Sequence, residues 1–157
     1  MPVVQKLTDR HAKKEFDCGE TQLNDWLRKY AKQHKEKGLS TTFVMVNDKD
    51  SSEILGFYAI SLTELFNADL PEQLRKRLPQ KVPAFRLGRL ATAKAHQGKG
   101  IGETMLFDAI ERVTRLSAEI GGTMLIVNAK PSAISFYSRY GFEQMKSHPH
   151  NLFLPIF

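Results

Sequence analysis

The segment Gln97–Gly102 places three glycines between a short apolar run and a long amphipathic stretch. Backbone N–H groups of such a loop can converge on an anion, because glycine carries no side chain, and a following helix adds free donors and its positive dipole end. The spacing Q-x-x-G-x-G fits neither the Walker loop, which needs Gly-Lys-Ser/Thr, nor the dinucleotide loop G-x-G-x-x-G. The segment therefore predicts a pyrophosphate cradle for another kind of coenzyme.

Length and composition favour one domain over residues 1–157. No apolar run approaches the roughly 20 residues of a membrane-spanning helix, and the N-terminus lacks the apolar core of a signal peptide. The single cysteine, Cys18, cannot form an internal disulfide. We therefore expect a cytoplasmic protein without a membrane segment. No metal site is predicted.

Positive charge is in excess, with 23 Lys and Arg against 17 Asp and Glu, which gives a net charge of +6 and suggests a polyanionic partner. One early group of cations fits a solvated surface and a functional surface equally well. The second group favours function, because several members lie beside the strand that leads into the glycine loop. The early group is Lys13, Lys14, Arg28, Lys29, Lys32, Lys35 and Lys37, and the second is Arg75, Lys76, Arg77, Lys81, Arg86 and Arg89.

Hydrophobic periodicity and turn residues predict alternating strands and helices. The predicted strands are Val3–Leu7, Thr41–Val46, Ile54–Leu62, Phe85–Ala91, Met124–Asn128, Phe142–Met145 and Asn151–Phe157. The predicted helices are Thr21–His34, Leu70–Leu78, Gly100–Ile120 and Pro131–Gly141, with Pro79 and Pro83 stopping the second. This order predicts an α/β (α+β) fold in which helices cover both faces of a mixed, mostly antiparallel sheet.

Two landmarks in combination resemble the GNAT acyl-CoA N-acyltransferases. The first is Gln97-x-x-Gly100-x-Gly102 before a helix, and the second is Ala133-x-x-Phe136-Tyr137-x-x-x-Gly141-Phe142. The resemblance implies an acyltransferase whose coenzyme is acetyl-CoA. It also implies that the sheet splays apart at the acyl-CoA site.

Further motifs resemble a narrower group, the GNAT toxins of bacterial toxin–antitoxin modules. They are Phe16-Asp17-Cys18-Gly19, Leu23-Asn24-x-Trp26-Leu27 and Leu87-Gly88-Arg89-Leu90-Ala91. The resemblance implies acetylation of the α-amine of aminoacyl-tRNA, a block of translation, a ribbon-helix-helix antitoxin with its operator DNA, and a homodimer. Thr92-Ala93-Lys94 departs from the family pattern, in which a valine and an acidic residue are more frequent.

The resemblance also assigns the coenzyme residues. Backbone groups of Leu90, Ala91 and Thr92 are expected to bind the pantetheine amides, and Asn128 is expected to face the same slot. The loop itself is expected to bind the pyrophosphate, through Gln97, Gly98, Lys99, Gly100, Ile101 and Gly102.

Tyr137 matches the general acid of the family. A phenol with an ordinary pKa near 10 can protonate the thiolate that leaves when an amine attacks a thioester. Spacing alone does not separate Tyr137 from the packing aromatics Phe136 and Tyr140. No carboxylate or histidine stands out as a base, since His96 before a phosphate loop more often has a surface role. An α-amine with a pKa of about 7.7 therefore suits the chain better than a lysine at about 10.4.

Cations near these motifs complete the tRNA hypothesis, because Arg and Lys bind closely spaced phosphates without reading sequence. The predicted tRNA-binding residues are Arg75, Arg77, Arg86 and Arg89, followed by Lys29 and Lys32. Arg89 could instead contact an antitoxin or the coenzyme. Two alternatives stay open: an acetyltransferase for a small amine or a protein N-terminus, and a non-catalytic module that binds acyl-CoA, an antitoxin or DNA.

Overall fold

The computed structural model describes residues 1–146 and 148–157. Within these residues seven strands form one sheet in the order β1-β2-β3-β4-β5-β7-β6. The strands are β1 (Val3–Lys6), β2 (Thr41–Val46), β3 (Gly56–Phe66), β4 (Lys81–Thr92), β5 (Met124–Asn128), β6 (Glu143–Gln144) and β7 (Asn151–Pro155). β4 and β5 are parallel, whereas β1–β2, β2–β3, β5–β7 and β6–β7 are antiparallel. The predicted mixed, mostly antiparallel sheet is confirmed.

Five α-helical segments connect these strands in the described residues: α1 (Thr21–Asp25), α2 (Ala31–Glu36), α3 (Glu72–Arg75), α4 (Ile101–Ile120) and α5 (Ile134–Ser138). The chain divides into two compact units. The first contains Met1–Ser61 and Gly88–Ala109, and the second contains Leu62–Leu87 and Ile110–Phe157. None of the helices in the described part of the chain has the length and apolarity needed to cross a bilayer.

In the first unit, helical segments cover both faces of the strands. Val44 and Phe57 pack on one face with Trp26, Leu27 and Ala31 of the helical run. On the other face Gly56 meets α4 so closely that a Cβ there would lie 2.5 Å from Met105 Cε and 2.8 Å from the carbonyl oxygen of Ala91. Only glycine fits this position, and its lack of a side chain lets α4 lie directly on β3.

The predicted single helix over Thr21–His34 differs from the observed run in one respect. A π-helical turn, Trp26–Tyr30, separates α1 from α2, and the backbone N–H of Ala31 bonds to the carbonyl oxygen of Trp26. The extra residue in the π-helical turn directs Ala31 toward the core, where it is 1% exposed, and leaves Tyr30 48% exposed. Tyr30 therefore lies outside the apolar face that Trp26, Leu27 and Ala31 form.

In the second unit, the core forms around β5 and its neighbours. Met124, Ile126 and Phe153 pack with Leu70 and Val82. Gly122, the second of two glycines that follow α4, has φ +115°, and a Cβ there would overlap the ring of Phe85. A glycine is therefore needed both for the turn and for the close packing of the strand that follows.

Proline 83 lies inside β4 rather than stopping a helix, so β4 begins earlier than predicted. Its carbonyl oxygen accepts hydrogen bonds from both the backbone N–H and the hydroxyl of Thr123, each at 2.9 Å. A strand position that uses its carbonyl as an acceptor tolerates the missing N–H of proline.

Candidate active site

The glycine loop owes its shape to two residues with left-handed backbone conformations. Gly98 has φ +80° and Gly100 has φ +79°, and a Cβ at either position would meet nothing within 4 Å. Backbone conformation, not crowding, therefore requires glycine at both positions. The open space beside them lets a bound group approach the main chain closely.

The loop runs directly into the first turn of α4, a helix of 20 residues. The first N–H groups of any helix lack partners within it and carry the positive dipole end, so those of Ile101 and Gly102 are suited to an anion. Thr104 closes the turn, because its backbone N–H and its hydroxyl each donate to the carbonyl oxygen of Gly100 at 3.0 Å. The residues present thus fit a diphosphate group.

The side chain of Gln97 fastens the start of the loop. Its amide nitrogen Nε2 donates to the carbonyl oxygens of Thr92 and Cys18, each at 3.2 Å. The side-chain amide is therefore engaged by the protein, and Gln97 shapes the loop by joining it to the end of β4. Lys99 is exposed, and its Nζ lies 3.5 Å from Nδ1 of His96.

A second loop, Phe16–Gly19, braces the first one through a buried asparagine. Oδ1 of Asn24 accepts a hydrogen bond from the backbone N–H of Cys18 at 2.9 Å, and its Nδ2 donates to Oδ1 of Asp17 at 3.0 Å. The carbonyl of Asp17 accepts from the N–H of Lys94 at 2.8 Å. The backbone N–H of Gly19, together with Asn24, lowers the pKa of the Asp17 carboxyl. Sequence reasoning noted this motif but did not assign Asn24 a role.

The side chain of Arg89 packs over an aromatic ring. Its guanidinium carbon lies 4.4 Å from the centre of a Trp26 ring, and burial lowers its pKa from the ordinary value. Trp26 is in turn stacked on Phe57 at 6.0 Å between ring centroids. Arg89 therefore contributes a cation–π contact to the first unit. Sequence spacing offered no sign of this partner.

Tyr137 lies in the second unit, on α5. It is 6% exposed, and burial raises its pKa to about 12. Its ring meets Phe136 and Phe142 edge-on, at centroid distances of 5.1 and 5.5 Å. A phenol in this environment stays protonated throughout the physiological pH range and keeps its ability to donate a proton.

The ends of β4 and β5 carry the other residues assigned to the coenzyme. The parallel pairing joins Phe85–Leu87 to Leu125–Val127, and β4 continues to Thr92 beyond this register. Leu90 and Thr92 are partly exposed, whereas Ala91 is buried. Asn128 ends β5 in register with Asn151, and its side chain is exposed.

The predicted tRNA-binding cations fall in both units. In the second unit, Arg75 is exposed at the end of α3, Arg77 lies over the ring of Phe157 at 5.2 Å, and Arg86 donates to the Thr63 hydroxyl at 3.3 Å. In the first unit, Lys29 lies 3.9 Å from Asp25 and Lys32 lies 3.2 Å from Asp9. These pairs are exposed and weak, so they do not prevent the lysines from binding phosphates.

His96, the nearest candidate base, lies just before the loop. Its Nε2 is 3.4 Å from Oε2 of Glu53, and its Nδ1 faces Lys99. Both ring nitrogens therefore have polar neighbours, Glu53 on one side and Lys99 of the loop on the other. This arrangement is consistent with the surface role that the sequence favoured for His96.

Residues 17–151 match the Acetyltransferase (GNAT) domain family. A protein of Mycobacterium tuberculosis described as a tRNA-acetylating toxin is 34% identical over 151 residues, which covers 96% of this chain and 89% of the relative.

Two solved structures are similar over nearly the whole chain. One is AtaT complexed with acetyl-methionyl-tRNAfMet, with a TM-score of 0.90, 29% identity, and coverage of 99% of this chain and 95% of that chain. The other is a tyrosine-to-phenylalanine mutant of the AtaT toxin bound to acetyl-CoA and the C-terminus of the antitoxin AtaR. It has a TM-score of 0.83, 25% identity, and coverage of 99% and 93%.

Proposed function

Because the chain belongs to the GNAT acetyltransferase family, we propose that it transfers the acetyl group of acetyl-CoA to the α-amine of aminoacyl-tRNA. An acetylated amine cannot act as a nucleophile in peptide-bond formation, so the product would block translation. The observation that carries the proposal is the similarity, over almost the entire chain, to a tRNA-acetylating toxin. Because the family match runs through both compact units, we further propose that residues 1–157 form one catalytic domain.

We assign coenzyme binding to the loop and the neighbouring strand ends. The amides of Gly98–Gly102 and the first turn of α4 would hold the diphosphate, with Lys99 adding positive charge. Leu90, Ala91 and Thr92 would offer backbone groups to the pantetheine arm, and the exposed side chain of Asn128 would be available to the same arm. Gln97 would contribute by positioning the loop, which its two hydrogen bonds to protein carbonyls support.

Tyr137 would be the proton donor. When bound, acetyl-CoA supplies a thioester whose C–S bond breaks as the amine nitrogen forms a bond to the carbonyl carbon. The hydroxyl of Tyr137 would give its proton to the departing sulfur as negative charge develops there, and its raised pKa means that the hydroxyl is protonated at neutral pH. The neutral form of the amine would attack, and it is already populated near pH 7 because the pKa of an α-amine is about 7.7. The nitrogen would then release one proton to solvent as the amide forms, and solvent would return a proton to Tyr137.

The exposed cations would bind the tRNA. Arg75 and Arg86 present accessible guanidinium groups in the second unit, and Lys29 and Lys32 are accessible in the first. We keep Arg77 and Arg89 as weaker candidates, because each guanidinium already lies over an aromatic ring. We also propose a cytoplasmic homodimer that is held inactive by a ribbon-helix-helix antitoxin, through which it would reach operator DNA.

A matched pair of tyrosine variants tests the catalytic assignment. Tyr137→Phe should abolish growth arrest and acetyl transfer to aminoacyl-tRNA while the protein still binds acetyl-CoA in calorimetry. Tyr140→Phe removes a hydroxyl three residues away on the same segment and should retain transfer. Full transfer by Tyr137→Phe would remove Tyr137 from the mechanism, and transfer to polyamines or peptides instead of aminoacyl-tRNA would favour a small-amine or N-terminal acetyltransferase.

A further inference from the structure

A cleft of about 360 Å³ opens in the first unit, between the segment that follows β1 and the helix α2. Leu7 and Ala31 give it an apolar floor, and Lys13, Lys32 and Lys35 line its walls. The volume lies in the range of small-molecule sites in proteins. None of these residues belongs to the glycine loop or to the strand ends assigned to the coenzyme, so the cleft is separate from the coenzyme site, and Lys32 is the one lining residue already proposed to bind tRNA.

The charges around the cleft leave cations available. Lys32 forms an ion pair with Asp9, its Nζ lying 3.2 Å from Oδ2. Lys13 and Lys35 have no acidic partner among the residues that the structure describes, and Glu36 is the other carboxylate at the rim. Three ammonium groups therefore face two carboxylates, and the excess favours an anionic ligand.

The cleft is also lined by a residue with a buried hydroxyl, Thr42. Thr42 lines the cleft and is 3% exposed, and its Oγ1 lacks a hydrogen-bond partner within the described chain. Thr42 shares a face of β2 with Val44, which packs in the same cluster as Ala31. A buried hydroxyl without a partner is unfavourable, and an oxygen-rich ligand in the cleft would satisfy it.

We propose that this cleft binds a phosphate group, with the ammonium groups of Lys13 and Lys35 and the hydroxyl of Thr42 donating to its oxygens. A phosphate offers several acceptor oxygens and a charge of up to two, which matches two free cations and one neutral donor. The phosphate can come from the backbone of an RNA or from a small phosphorylated metabolite, since both present the same chemistry. This site goes beyond the acetyl-transfer chemistry and does not depend on it.

Calorimetry tests the site with the glycine loop already filled. Protein saturated with CoA is titrated with inorganic phosphate and with adenosine 5′-monophosphate, and the same titrations are made on the double variant Lys13→Ala/Lys35→Ala. The wild-type protein should bind one equivalent of at least one of these ligands, and the double variant should bind at least about tenfold more weakly. The control Lys14→Ala/Lys37→Ala removes the same charge from exposed neighbours and should bind like the wild type.

A second variant separates ligand binding from folding. Thr42→Val removes the unpaired hydroxyl at nearly constant volume, so the melting temperature should stay level or rise while phosphate affinity falls. A purely structural threonine would give no change in affinity.

Binding of deacylated tRNA identifies the source of the phosphate. A loss of tRNA affinity in Lys13→Ala/Lys35→Ala beyond that of the control assigns the cleft to an RNA phosphate. Unchanged tRNA affinity with lost phosphate binding assigns it to a metabolite. The proposal is overturned if phosphate binding survives the double substitution, or if the small ligands do not bind and both double variants bind tRNA equally.

Discussion

The side-chain amide of Gln97 donates to the carbonyl oxygen of Thr92 at 3.2 Å and thereby joins the beginning of the glycine loop to the end of β4. The same nitrogen reaches the carbonyl of Cys18, also at 3.2 Å. A single side chain thus positions the proposed diphosphate loop relative to two other segments of the first unit.

Gln97→Ala should loosen the loop without unfolding the protein. Two hydrogen bonds of about 1 kcal/mol each are lost, so we expect KM for acetyl-CoA to rise roughly three- to tenfold with a smaller change in kcat. Steady-state kinetics at saturating aminoacyl-tRNA measures both constants. Gln33→Ala, an exposed substitution on α2, serves as the control. Equal KM values for both variants would show that the Gln97 contacts do not shape the coenzyme site.

Gly100→Ala tests the left-handed backbone of the loop. The added Cβ meets nothing within 4 Å, but φ is +79°, so we expect about 1–2 kcal/mol of strain and a roughly tenfold loss of acetyl-CoA affinity. Gly38 offers a matched control, with φ +72° and equally open space after α2. Gly38→Ala should lower stability by a similar amount, as urea unfolding would show, and leave coenzyme affinity unchanged. Loss of affinity in both variants would mean that global stability, not loop geometry, is responsible.

Tyr137 should titrate well above an ordinary tyrosine. Burial raises its pKa to about 12, so the absorbance change of phenolate formation at this residue should occur near that pH and disappear in Tyr137→Phe. Acetyl transfer should accordingly show no loss from phenol ionisation between pH 7 and 10. A titration of Tyr137 near pH 10 would contradict the assigned environment.

His11 should make stability depend on pH. It is 3% exposed, its Nδ1 accepts from the backbone N–H of Thr8 at 3.0 Å, and its Nε2 lies 3.0 Å from Oε1 of Gln5. Burial first, and then the charge of Arg10, lower its pKa below 6.5. Because the folded state disfavours the proton, this contribution is complete above about pH 6.5 and declines as the pH falls below that value.

Urea unfolding at pH 7.5 and 5.5 measures this decline. Protonation of His11 should lower the free energy of unfolding of the wild-type protein by at most about 1.4 kcal/mol per pH unit. In His11→Gln the free energy of unfolding should depend less steeply on pH. His150→Gln changes an exposed histidine and should keep the wild-type pH dependence. Identical slopes for the wild type and His11→Gln would rule out His11 as the source.

Local pattern predicted much of the fold. β2 and β5 have the predicted bounds, since β-branched and apolar runs flanked by turn residues determine them locally. Gly98 and Gly100 of the loop adopt conformations that only glycine accepts readily. The spacing of residues within the two GNAT landmarks was sufficient to identify the GNAT family.

Other features depend on partners that are distant in sequence. The π-helical turn at Trp26–Tyr30, the stacking of Arg89 on Trp26 and the acceptance of Pro83 within β4 each require a neighbour that periodicity does not reveal. The same limit applies to Gln97, whose side chain bonds to carbonyls at positions 18 and 92.

The most direct test of the account follows the acetyl group itself. The purified protein is incubated with radiolabelled acetyl-CoA and a mixture of aminoacyl-tRNA, polyamines and short peptides, and the labelled products are separated. We predict N-acetyl-aminoacyl-tRNA as the labelled product. Treatment that cleaves the aminoacyl ester should release the label from the tRNA, attached to the amino acid. Label on the polyamines or peptides alone, or no transfer by protein that binds acetyl-CoA, would contradict the account.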